Sequence, residues 1–156
     1  MYQQIVVALD GTPEAERILP HVEALAKGFA SKVELVWATE SPEMIVAETI
    51  PVSSPDEPGL PVNPLPLVEQ EHQDAAAYLA SIAERLRGQG ILVSHEDPEG
   101  PPADVILGTA DRLGADLIAL TTHARGAIGR LVLGSIAGDV IRHASCPVLV
   151  IRREST

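Results

Sequence analysis

The chain is expected to be an α/β protein: a doubly wound, five-stranded parallel sheet in the order 3-2-1-4-5, with helices on both faces. Three observations predict it. Five short, largely apolar runs recur along the 156 residues, and the first, Ile5–Leu9, is continuous rather than alternating, as a strand buried on both faces is. Between them lie stretches with helical periodicity, long enough to cross over a sheet. Glycine, proline and aspartate punctuate the junctions. No internal repeat or second core is visible, so residues 1–156 read as a single domain.

The first run, Ile5-Val6-Val7-Ala8-Leu9, ends at Asp10-Gly11-Thr12-Pro13, where turn and cap residues open a helix and Pro13 suits its first position. Ile18, Val22, Leu25 and Phe29 then recur on one helical face. Pro20 falls within that pattern and should kink the helix unless its first turn is irregular. The second strand is read at Val33–Ala38. Residues 51–66 hold six of the 13 prolines, too many for regular helix or a central strand, and read as a surface excursion. A helix resumes near Leu67 and runs to about Arg87, with Ala75, Leu79, Ile82 and Leu86 on one face, closed by Gly88 and Gly90. Ile91-Leu92-Val93 makes the third strand. Pro101-Pro102 starts a helix carrying Val105, Ile106, Ala110 and Leu113, which Gly114 ends. Asp116–Leu120 is the fourth strand, Gly134–His143 the last helix, and Pro147–Ile151 the fifth strand.

Composition narrows the partners. Asp and Glu number 22 against 11 Lys and Arg, for a net charge of −11, and only four residues are aromatic. Such a chain repels the phosphate backbone of nucleic acids and lacks bases' stacking platforms, so no nucleic acid is expected. No apolar run reaches the roughly 18–20 residues of a membrane span. A single cysteine, Cys146, and an N-terminus without a signal-peptide pattern point to the cytoplasm. The acid is unevenly placed: residues 1–100 carry 17 acidic and 5 basic side chains, residues 101–156 carry 5 and 6. Only the final third is permissive to an anion.

In open parallel sheets ligands bind beyond the carboxyl ends of the strands. Two such ends stand out. Asp10 could accept hydrogen bonds from a ribose or base edge, and Thr12 could cap the first helix; both also suit a plain turn. The other is Thr121-Thr122-His123-Ala124-Arg125-Gly126-Ala127-Ile128-Gly129-Arg130, leading to Gly134-Ser135. Its small residues let amides approach a phosphate, Gly134-Ser135 opens a helix whose amide dipoles favour an anion, and Arg125 and Arg130 supply positive charge. There is no paired acid and base, no nucleophile beside a histidine, and no cluster with metal-ligand spacing, so catalysis is not expected.

The stretch "ALTTHARGAIGRLVLGSIAGDVIRHASCPVLVI", with "IVVALDGTPEAERIL" and "GADLIALTTH", resembles the universal stress protein family over almost the whole chain. The resemblance implies a Rossmann-like fold and, in one branch, an ATP site built on Gly-x-x-Gly, nine residues, then Gly-Ser or Gly-Thr. Counted back from Gly134-Ser135, the two earlier glycines fall at Thr121 and Ala124. By resemblance, Ala8 and Ala38 line the adenine pocket and Asp10 faces the adenosine. Thr122, His123, Ala124, Arg125 and Gly126, with Ser135 and Ile136, hold the triphosphate, Thr121 and Gly134 complete the binding loop, and Mg2+ would enter with the ATP.

Family and residues together predict a cytoplasmic stress-response or regulatory module, an ATP binder with at most slow hydrolysis. The alternative is a family member that binds no nucleotide and acts as a dimeric interaction protein, motivated by the lost glycines. A receiver domain is disfavoured because Asp10 has no acidic neighbour and Arg152 follows the fifth strand. A dinucleotide oxidoreductase lacks its Gly-x-Gly-x-x-Gly turn. The fifth strand, apolar at Val148, Leu149, Val150 and Ile151 and placed at a sheet edge, predicts a homodimer.

Overall fold

In the computed structural model, which describes residues 1–44, 63–122 and 134–152, the five runs form one parallel sheet: β1 (Gln4–Ala8), β2 (Lys32–Val36), β3 (Leu92–Glu96), β4 (Leu117–Thr122) and β5 (Val148–Arg152). The order is β3-β2-β1-β4-β5, with every adjacent pair parallel. Among the described residues, the long α-helices that accompany it are α1 (Leu19–Phe29), α2 (Leu65–Arg87), α3 (Pro102–Leu113) and α4 (Ser135–His143).

The unbroken apolar character of β1 has a direct cause. Ile5 and Val7 point into a core shared with Ile18 and Val22 near α1 and with Leu79, Ile82 and Leu86 of α2. Val6, between them, points into a second core with Ile106 and Ala110 of α3 and Ala137 and Val140 of α4. All three β1 side chains are fully buried, so neither face tolerates a polar residue. Ala75, Leu79, Ile82 and Leu86 are likewise buried along one stripe of α2. Gly114 takes φ +61° and closes α3 in the left-handed region, where a Cβ is costly.

Several boundaries differ from the sequence expectation. At Pro20 the irregular first turn is the outcome: Ala15–Ile18 is a 3-10 turn and α1 begins only at Leu19, leaving Pro20 in the first turn where its missing N–H is not needed. Phe29 does not join the core face; it is 45% exposed and packs edge to face on Tyr2 at 5.3 Å. The proline-rich excursion ends earlier than residue 66, since α2 starts at Leu65 with Pro66 in its first turn. Residues 51–62 of that excursion lie outside the described residues. β4 runs two residues past Leu120: Thr121 and Thr122, β-branched and suited to a strand, pair with Ile151 and Arg152 of β5. Among the described residues, no helix is long and apolar enough to cross a membrane.

Candidate functional site

Sheet order reverses around β1, because β1 is followed in space by β2 on one side and by β4 on the other. That is the switch point at which a parallel sheet opens a crevice, and a cleft of about 250 Å³ lies there. Strand-end residues line it: Ala8 at the end of β1 with Leu9 after it, Val36 at the end of β2 with Ala38 two residues beyond, and Leu120 of β4. Pro102 and Ile106 of α3 and Ile136 and Ala137 of α4 complete an apolar wall, while Asp10, Thr121 and Ser135 are its polar groups. Alanines at 8, 38 and 137 leave the width that a flat ring requires.

The loop after β1 is held rigidly. Asp10 Oδ1 accepts from the Thr12 amide at 2.9 Å and from the Thr12 hydroxyl at 2.6 Å. The Thr12 hydroxyl oxygen in turn accepts from the Ala15 amide at 3.2 Å, satisfying an amide of the 3-10 turn. Gly11 sits between them at φ +78°. At the other rim, Gly134 is the N-cap of α4 and its own carbonyl accepts from Gly138 at 2.9 Å. The first amides of α4 have no partner within the helix and carry its positive dipole end, so Ser135 and its neighbours suit an anion.

Of the residues expected at the site, Ala8, Asp10, Ala38, Thr121, Gly134, Ser135 and Ile136 come together on the cleft. Thr12 and Thr122 are not among its lining. Thr12 is engaged as turn and cap, and Thr122 is buried in the β4–β5 pairing at 3% exposure. His123, Ala124, Arg125 and Gly126 lie outside the described residues, as do Gly129 and Arg130. Trp37, Pro102 and Ile106 also line the cleft, and no motif marks them. The four-residue step from Pro102 to Ile106, on the core stripe of the helix that follows β3, is the one signal that could have flagged the last two. Among the described residues, no group of three His, Cys, Asp or Glu side chains could hold a metal ion.

One wall of the cleft is tied down from behind. The chain after β2 is laced to the loop after β3: Thr39 donates its amide to Pro98 O at 2.9 Å and its hydroxyl to Asp97 O at 3.1 Å, and Gly100 donates back to Thr39 O at 3.0 Å. That loop runs directly into Pro102. His72 of α2 clasps it, with Nδ1 2.7 Å from Asp97 Oδ2 and Nε2 3.0 Å from Glu99 Oε1. The hydrogen bond with Asp97, then that with Glu99, raises the His72 pKa above 6.5 against an opposing burial effect. A raised folded-state pKa means the stabilisation is full below pH 6.5 and is lost as pH rises through the folded value. His72→Gln should therefore lower the melting temperature at pH 6 and have little effect at pH 8.5. Partly exposed pairs contribute about 0–1 kcal/mol, so the expected shift at pH 6 is roughly 2–4 °C at most. Equal shifts at both pH values in thermal melts would show that the imidazolium charge is not involved.

Fold and cleft together define a doubly wound α/β domain with one apolar slot, polar at its β1 and α4 rims, at the switch point of the sheet. The sequence model of the universal stress protein family matches residues 1–152, and the chain belongs to that family. It is 32% identical over 158 residues to the Thermus aquaticus universal stress protein in the QAH/OAS sulfhydrylase 3′ region, across 97% of this chain and 100% of that one. The solved structure of hypothetical protein MJ0577 superposes with a TM-score of 0.79 at 25% identity, covering 100% of this chain and 99% of its own. Two further structures share the fold and contain adenine nucleotides. One is a universal stress protein in complex with cAMP, at TM-score 0.67 and 21% identity over 98% of each chain. The other, from Archaeoglobus fulgidus, is in complex with dAMP, at TM-score 0.67 and 22% identity over 96% of this chain and 98% of that one.

Proposed function

We propose that the cleft binds an adenine nucleotide, ATP in the first instance, and that the protein serves as a cytoplasmic stress-response or regulatory module rather than as an enzyme. The observation that carries this reading is the shape and chemistry of the slot: alanine-walled and apolar along its length, with Asp10 on the β1 rim and Ser135 with the first amides of α4 on the other. The base fits the alanine-lined part, Asp10 accepts from the sugar, and the first turn of α4 receives phosphate. Adenine nucleotides in two structures of this fold support it. Mg2+ would arrive on the phosphates, since the polar groups of the lining are one carboxylate and two hydroxyls rather than a cage. Isothermal titration of the purified protein with Mg-ATP tests the reading. Saturable heat supports it; no heat at any accessible concentration overturns it.

A second reading has its own observation. Thr121, which lines the cleft, carries a Cβ and hydroxyl where the family's ATP branch has glycine. A member that binds no nucleotide would act through its surface, and β5 offers one. It is an edge strand whose Val148, Leu149, Val150 and Ile151 are only half-buried in the single chain. Pairing with a second copy across a two-fold axis would cover them. Under either reading a homodimer through β5 is expected, and Val150→Lys should shift sedimentation from dimer to monomer. A dimer that persists in this variant would place the interface elsewhere.

A further inference from the structure

The chain's single tryptophan, Trp37, follows β2 and lines the cleft. Its indole occupies the ground behind the β1 loop. A Cβ built on Gly11 would stand 2.5 Å from Trp37 Cη2 and 2.8 Å from Cζ3, both atoms of the six-membered ring. The outer edge of the indole is therefore seated on the bare α-carbon of Gly11, and Gly11 is also at φ +78°, where a side chain is strained. Two independent demands thus fall on the same glycine, and it is the residue next to Asp10.

The indole is braced in turn. Tyr78 of α2 meets it edge to face, with ring centroids 5.5 Å apart at 84°. The Tyr78 hydroxyl donates to Glu16 Oε1 at 3.0 Å, and Arg85 Nη1 lies 3.6 Å from Glu16 Oε2. Glu16 belongs to the 3-10 turn that the same loop enters. One aromatic pair therefore pins the loop at Gly11, through Trp37, and at Glu16, through Tyr78. Between those points the Asp10 carboxylate and Thr12 form their turn. A stack of this kind leaves Asp10 little freedom to rise or sink relative to the slot.

We propose that Trp37 is a positioning residue for sugar recognition: by filling the space behind Gly11 it holds the Asp10 carboxylate where it accepts the ribosyl hydroxyls of the bound nucleotide. The proposal rests on the nucleotide reading above and adds to it a selectivity for nucleotides with an intact ribose. The role of the indole is to set a distance.

The test compares affinities for ATP and 2′,3′-dideoxy-ATP, which differ only in the hydroxyls. The wild type should bind ATP about tenfold or more tightly, the worth of hydrogen bonds to a charged acceptor. Trp37→Phe keeps an aromatic ring for Tyr78 but withdraws the atoms that touch Gly11. It should bring the ratio close to one while changing dideoxy-ATP affinity less than about threefold, a pattern that a general loss of packing does not produce. Gly11→Ala pushes on the same contact from the other side and should collapse the same ratio, so it carries the test if Trp37→Phe does not fold. A ratio unchanged in both variants, or equal losses for both nucleotides, overturns the positioning role and leaves nucleotide binding intact. A wild-type ratio near one does the same. Failure of the wild type to bind either nucleotide overturns both.

Discussion

Phenylalanine in place of Ala38 should weaken the proposed adenine-nucleotide binding about 100-fold while leaving the fold intact. Ala38 lies just beyond β2 and lines the slot beside Val36, with Ala8 on the neighbouring strand end. A phenyl ring there occupies the volume that a purine would take. Denying the base roughly 120 Å² of apolar contact at about 25 cal/mol/Å² removes about 3 kcal/mol, or ~100-fold in affinity. Position 38 is half-buried at the mouth of the crevice, so the added ring can sit in space now open to solvent and overpacking stays small, below about 1 kcal/mol. Titration calorimetry and a thermal melt on the same sample check both halves. Undiminished affinity would mean that the nucleotide does not use this slot.

The largest loss of stability is expected at Leu35. It is fully buried in the middle of β2, paired in register with Val7 of β1 and His95 of β3, and belongs to the core beneath α1 and α2. Leu35→Ala should cost about 3 kcal/mol through lost transfer energy and the cavity left behind. For a domain of this size that is roughly a 10 °C fall in melting temperature. Leu92→Ala is the matched control: Leu92 is 65% exposed on the edge strand β3, and its truncation should stay within about 0.5 kcal/mol. Similar effects for the two leucines in denaturant titrations would contradict the two-layer core.

Leu35 and Leu92 also mark the limit of what was legible. Both lie in short apolar runs, and nothing local separates a central strand from an edge one; the difference is made by which strand stands beside which. Where burial repeats with the period of the element, the sequence reads well. Ile5 to Val7, each buried on its own face, and the α2 stripe from Ala75 to Leu86 are such cases. Backbone chemistry is legible too, as at Gly114, because a left-handed residue after a helix has few alternatives. Pro20 left two outcomes open, because its effect depends on where the first α-helical turn begins, and the 3-10 turn before Leu19 decides between them. Phe29 misled because Tyr2, from a distant part of the chain, offered it a partner at the surface.

The site divides in the same way. Asp10 and Ser135 stand at a strand end and a helix start, which the sequence marks with turn and cap residues, whereas Ala38 is reached only through the family resemblance. Trp37, Pro102 and Ile106 reach the cleft only because α3 and the aromatic pair pack where they do. The contrast between Thr12 and Asp10 follows from one hydrogen-bonded turn, in which the threonine hydroxyl is turned inward to Asp10 Oδ1 and the Ala15 amide.

The wall of this cleft is drawn from residue 8 at one end of the chain to residue 137 near the other, and its central strand waits for β4 before it is flanked on both sides. Residues 8–38 supply seven of its fifteen lining residues, and the other eight come from residues 102–137. A chain emerging from synthesis therefore has no closed slot until β4 and α4 have joined the sheet, long-range closures of the kind that form slowly. Any molecule that fills the slot acts on the last step of assembly, and by mass action it slows global opening rather than securing one local piece. Occupancy and completeness of the fold become one measurable quantity, so protease resistance of the whole domain should rise and fall with ligand concentration.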